Sequence, residues 1–266
     1  MLANFHTHTT YCDGKNTPEE IVLYAIEHGF SSLGFSGHGY TGFDRRYCMK
    51  DTVGYISEIT SLKEKYKKDI QIYLGIEEDA FAPVNRCDYD YIIGSSHYFY
   101  VDGVYYPIDS NYNYFKKCIE VFNGNTIKLA EAYFSSFCKY ILKRKPDIVG
   151  HFDLITKFDE MDESRFLNDR EYLNISKKYI KEVLKKDVVF KVNTGAISRG
   201  FRNKPYPHQE LLHTLKCNDS KLMLSSDSHN IETLCYAFDE TREMLKDIGF
   251  KYVYLIYDKE LKKDFL

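Results

Sequence analysis

Six histidines and three acids recur in this chain at positions suited to holding metal ions. His6-Thr7-His8 is the first such set, because residues two apart in an extended chain face the same way and can present two imidazoles to one ion. Taken alone, that spacing serves core filling as well as ligation. Asp227-Ser228-His229 repeats it near the other end of the chain, with two ligand types at i and i+2. His38 lies between Gly37 and Gly39, which let the backbone turn tightly and leave the imidazole free to project. His97 and His151 each follow an apolar run and a glycine, in Gly94-Ser95-Ser96-His97 and Gly150-His151. Glu77 follows Ile72 to Ile76, where a buried acid is costly unless a cation or hydrogen bonds meet it. A carboxylate bridging two ions answers that need. Glu78 and Asp79 read as ordinary surface acids at a strand end, whereas Asp13, just after the first histidine pair, joins the set. The chemistry such donors support is that of divalent ions, which acidify water and polarise bound oxygens.

Positioning them requires a repeating scaffold. Short apolar runs end near Phe5, Phe35, Ile76, Ile93, Val149, Val192 and Leu224, each followed by a turn and a segment of helical period. That alternation predicts a parallel α/β sheet, and seven strands predict a distorted barrel over residues 1–266 as one domain, with the donors converging at the strand C-terminal ends. Thr17, Pro18 and Glu20 predict a capped helix start, and Gly29 its stop. Further helical patterns fit 52–67, 112–143, 168–186 and 232–248. His28, His208 and His213 fall in or beside helices and read as surface or packing residues.

Composition excludes several function classes. Net charge is −3 with both signs interspersed, so no basic track for a nucleic acid stands out. Lys63, Lys65, Lys67 and Lys68 read as a solvated helix end. No basic segment leads into an apolar signal core and no run spans a membrane, so a cytoplasmic protein is expected. Seven cysteines form an odd set without a CxxC pair, which predicts reduced thiols, and Cys12 reads as a small buried one.

The quoted motifs, His6-Thr7-His8, Ser36-Gly37-His38, Gly75-Ile76-Glu77 and Asp227-Ser228-His229, resemble those of the polymerase-and-histidinol-phosphatase (PHP) superfamily over nearly the whole chain. The resemblance implies a seven-stranded β/α barrel, similar to a TIM barrel, that carries three divalent ions of zinc, manganese or iron. One ion would take His6, His8, Glu77 and Asp227, a second Glu77, His97 and His151, and a third Asp13, His38 and His229. Some relatives carry histidine where this chain has Asp13. The implied activity is hydrolysis of a small phosphomonoester by activated water, with Glu77, Asp227 and His229 as catalytic residues. Length and the segments Gly150 to Ile155 and Asn193 to Arg199 look most like the histidinol-phosphatase branch. Arg199, after the sixth strand, is the first candidate to hold phosphate through its planar fork of donors. Lys157 is a second, although a lysine on a loop is commonly just solvated.

Overall fold

The computed structural model describes residues 1–161 and 165–266. In chain order the first elements are β1 (Leu2–Asn4), α1 (Pro18–Glu27), β2 (Phe30–Phe35), α2 (Thr52–Lys65), β3 (Gln71–Asp79) and β4 (Tyr91–Ser95). A hairpin of β5 (Tyr98–Val101) and β6 (Val104–Pro107) follows, then α3 (Tyr112–Val121), α4 (Thr126–Arg144) and β7 (Ile148–Val149). The chain continues through α5 (Arg170–Val183), β8 (Val189–Asn193), the short α6 (Gly195–Ser198), α7 (Gln209–Cys217), β9 (Lys221–Ser225) and α8 (Phe238–Ile248). It finishes with a hairpin of β10 (Tyr252–Tyr257) and β11 (Glu260–Phe265).

Seven strands pair in parallel in the order β1-β2-β3-β4-β7-β8-β9. The barrel closes at a narrow seam between its first and last strands. There the His8 amide donates to the Ser228 carbonyl at 2.8 Å and the Ser228 amide to the His6 carbonyl at 3.0 Å. The Asn4 side chain spans the same seam, donating to Ser226 Oγ at 2.9 Å and accepting from the Ser226 amide at 3.0 Å.

Alternation along each strand builds the interior. Phe5, Tyr73, Tyr91, Ile93, Ile148, Val189 and Met223 pack together, and Leu255 of β10 joins them. Tyr91 takes the space left at Gly34 and Gly75, where any Cβ would collide with its ring, and donates its hydroxyl to the Phe5 carbonyl at 2.8 Å. Outside the barrel, α1 carries the expected capping box, in which Thr17 and Glu20 satisfy one another's amides, and Gly29 beyond its end adopts a φ of 72°.

Several expectations change. The pattern over 112–143 is two helices, because Asn123 and Gly124 take left-handed backbone and Asn125 caps α4. The pattern over 232–248 opens on a 3-10 turn, Ile231–Thr233, and becomes an α-helix only at Phe238, after a left-handed Ala237. Between β3 and β4 lies a single 3-10 turn, Arg86–Asp88, instead of a helix. No helix of the described residues is long and apolar enough to cross a membrane. All seven cysteines are free, and Cys12 is only half-buried.

Candidate active site

β3 runs three residues further than its apolar pattern suggests, so Glu77, Glu78 and Asp79 are strand residues and all are buried. This corrects the reading of Glu78 and Asp79 as surface acids. Pleating sends Glu78 outward, where Arg144 pairs with it at 2.7 Å and the Tyr140 hydroxyl donates at 2.7 Å. Asp79 faces inward beside Glu77. It accepts from the His97 amide at 3.0 Å and lies 3.3 Å from His97 Nδ1, which leaves Nε2 turned toward Glu77.

Glu77 is the hub. Its Oε1 lies 3.2 Å from His151 Nε2 and 3.5 Å from His97 Nε2, and accepts from Ser95 Oγ at 2.6 Å. Its Oε2 lies 2.9 Å from His38 Nδ1, 3.2 Å from His6 Nε2 and 3.8 Å from His8 Nε2. Asp227 faces it from just beyond β9, with Oδ1 at 3.1 Å from His8 Nε2 and 3.7 Å from His6 Nε2. On the far side, Asp13 stands 3.2 Å from His8 Nδ1, 3.3 Å from His229 Nε2 and 3.7 Å from His38 Nε2. All nine donors expected from the sequence therefore meet at one mouth of the barrel.

The donor set fits divalent cations. Glu77 Oε2 is buried without a hydrogen-bond partner, although three imidazole nitrogens face it. Donor atoms of His6, His8 and Glu77, of His38, Glu77 and His97, and of His8, Asp13, His38 and His229 each lie within 4.8 Å of one another. Mixed imidazole and carboxylate donors suit zinc, manganese or iron. The electrostatics match this: burial opposes ionisation of Glu77, but His6, His97 and His38 outweigh it and hold the carboxyl well below its usual range. Asp227 is held low in the same way by His6, Lys191 and Arg199, and Asp13 by His38, His229 and His8. Burial brings His6 down to about 3, with Lys191 adding to the effect.

Arg199 caps the end of α6 and turns over the cluster. Its Nη1 donates to the Asp227 carbonyl at 3.1 Å and lies 3.0 Å from His229 Nδ1. This approach needs Gly195, where a Cβ would come within 3.0 Å of Arg199 Nη2 and 2.8 Å of Asp227 Cβ. Lys157 is no solvated loop residue. Its side chain is 12 % exposed, and Nζ donates to the Asp109 carbonyl at 2.6 Å. Arg199 and Lys157 both line a cavity of about 380 Å³ above the donors.

Sequence reasoning missed three neighbours. Lys191 is fully buried within the barrel with Nζ against His6 Nδ1, and Asn193 donates to Asp227 Oδ2 at 2.8 Å. A signal existed: Val189, Lys191 and Asn193 share one strand face, and a lysine on an interior face is rare without a specific partner. Asp109, in the cavity wall, carried no such signal.

The chain is 27% identical over 254 residues to "Probable histidinol-phosphatase" of Schizosaccharomyces pombe, covering 86% of this chain and 81% of that protein. It is 25% identical over 260 residues to histidinol-phosphatase of Bacillus subtilis, covering 88% and 96%. A crystal structure of histidinol phosphate phosphatase from Lactococcus lactis, complexed with zinc, L-histidinol and phosphate, superposes with a TM-score of 0.66 at 19% identity, covering 98% of each chain, and so shares the fold. The PHP domain model matches residues 4–195, which is well over half of the sequence, and the chain belongs to the PHP domain family.

Proposed function

We propose that this chain is a metal-dependent phosphomonoester hydrolase that converts L-histidinol phosphate and water to L-histidinol and phosphate, a step of histidine biosynthesis. The observation that carries the reading is the orphaned, buried Glu77 Oε2 at the centre of six imidazoles and two further carboxylates, beneath a cavity that holds Arg199 and Lys157. The histidinol-phosphatases it resembles support the choice of substrate.

In this reading His6, His8, Glu77 and Asp227 hold one divalent ion, Glu77, His97 and His151 a second, and Asp13, His38 and His229 a third. When bound, such ions acidify water and clamp the oxygens of an in-line displacement at phosphorus. The protein supplies the rest. Glu77 joins the two sites that share it, and Asp79 fixes the His97 ring so that Nε2 faces inward. Asn193 holds Asp227 in place, while Arg199 and Lys157 present cations to the phosphate oxygens. Pocket walls from Tyr98, Pro107 and Leu154 shield the ester from bulk water. Residues 1–266 act as one catalytic unit, and the free thiols suit the cytoplasm.

A screen of metal-loaded protein tests this, with L-histidinol phosphate set among varied phosphomonoesters and a single-stranded oligonucleotide. The highest kcat/KM is expected for L-histidinol phosphate. A clear preference for another ester, or for the oligonucleotide, would overturn the assignment.

A further inference from the structure

Four carboxylates line the cavity, and three of them are already engaged. Asp13 and Asp227 belong to the donor set, and Asp44 accepts from Arg46 Nε at 2.9 Å and from the Tyr98 hydroxyl at 2.7 Å. Asp109 differs. Its backbone is tied on both sides, since the next-door Ile108 amide donates to the His97 carbonyl at 2.9 Å and Lys157 Nζ donates to the Asp109 carbonyl at 2.6 Å. Its carboxylate, however, accepts no hydrogen bond among the described residues. The closest cation, Lys157 Nζ, is 3.7 Å from Oδ2, and the side chain remains 24 % exposed, toward the cavity. A carboxylate fixed in place with unused lone pairs, in the wall of the cavity, is matched to a donor that arrives from outside.

We propose that Asp109 is a cation subsite, which receives the ammonium group on the leaving alcohol of an amino-alcohol phosphate. This rests on the reading of the site given above. The geometry of such an ester makes the match specific. Its ammonium sits on the carbon next to the one that bears the ester oxygen, so a phosphate held at the cluster carries the ammonium only a short distance into the cavity. The Lys157 and Asp109 charges face one another in the free protein. The substrate brings an anion and a cation at similar spacing, so Lys157 can turn to the phosphate as Asp109 takes up the ammonium. A phosphomonoester without the amine satisfies one half of this exchange and leaves the Asp109 carboxylate desolvated beside nothing.

The test compares L-histidinol phosphate with imidazolylpropyl phosphate, the same ester without its amine, in the metal-loaded wild type and in Asp109→Asn. Wild type should favour the aminated ester in kcat/KM by about 10- to 100-fold, the size of a hydrogen bond to a charged group, and Asp109→Asn should bring that ratio close to one. Asp109→Glu should restore part of it. Because both esters carry phosphate, a disturbance of Lys157 cancels from the ratio, and inhibition by inorganic phosphate measures it separately. An unchanged ratio in Asp109→Asn overturns the subsite. Loss of bound metal from that variant overturns it too, since Asp109 would then be a ligand. If the variant does not fold, product inhibition of the wild type decides: L-histidinol should inhibit more strongly than imidazolylpropanol, and equal inhibition sinks the idea. High, equal wild-type activity on both esters removes the subsite alone, whereas activity on neither removes the functional reading as well.

Discussion

The two ends of this barrel are made by the same strands and have opposite chemistry. At one end Phe5, Tyr73, Val189 and Met223 meet Leu255 in an apolar cluster. A few residues further along, the same strands present His6, Glu77, Lys191 and Asp227, all buried. Apolar packing tolerates repacking and yields stability. The polar end holds like and unlike charges at a largely buried cluster, an arrangement that is unfavourable unless a ligand completes it. The apolar end is therefore the foundation against which the donors are held, and damage to each end should have a different signature.

The largest effect should come from removing metal. Exhaustive chelation should abolish hydrolysis and lower Tm, because ions that bind the native donors stabilise the fold by linkage. Full activity in metal-free protein, checked by elemental analysis, would break the comparison. Next come two adjacent glutamates on opposite faces of β3. Glu77→Gln should lower kcat by about 10²- to 10³-fold, the loss found when one charge-stabilising group is removed from a site. Glu78→Gln should keep most of its kcat and lose about 1.5–3 kcal/mol of stability through its contacts with Arg144 and Tyr140. Equal losses of activity would show that the faces of this strand are not functionally distinct.

Arg199→Ala removes a charge-assisted contact worth about 1.5–3 kcal/mol, so kcat/KM should fall roughly ten- to a hundredfold with metal content unchanged. Arg199→Lys should recover only part, because an ammonium lacks the planar fork. Loss of metal in Arg199→Ala would instead make the residue a support for Asp227, which it also touches. The smallest effect on turnover is expected at the opposite end. Leu255→Ala should cost about 2–5 kcal/mol of stability, seen as a lower Tm, and leave kcat near wild type below the new transition. A matching fall in kcat at low temperature would mean that packing around Leu255 of the β10–β11 hairpin is felt at the mouth.

The donors were legible because all but Asp13 sit where an apolar run stops, and a strand end in a barrel has only one place to point. Glu78 and Asp79 were misread because the apolar run ends at Ile76 while the strand continues to Asp79, sustained by pairing with β4. Hydrogen bonding set that boundary, and hydropathy does not record it. The 112–143 segment shows the converse, since helical period runs on both sides of Asn123-Gly124, a pair whose turn chemistry divides it into two helices. Lys157 and Asp109 belong to separate loops whose meeting depends on the β5–β6 hairpin, a long-range outcome with no local trace. Neither terminal strand of the β10–β11 hairpin shows the seven-strand repeat, so it too was absent from the sequence reading.

The seam between β1 and β9 has a consequence for biosynthesis. It joins Asn4 to Ser226, partners 222 positions apart, and the residues beside it supply both histidine-containing pincers. At translation rates of about 5–20 residues per second, roughly 10–45 s separate the emergence of the first pincer from that of the second. A nascent chain thus exposes His6 and His8 long before Asp227 and His229 exist to complete their site, and an ion captured early would be held weakly. Contacts of such separation are also slow to form, because loop closure must precede any stabilising pairing. The final joining of the barrel and the completion of the donor set are one event, so a fully metallated molecule is one that has finished folding.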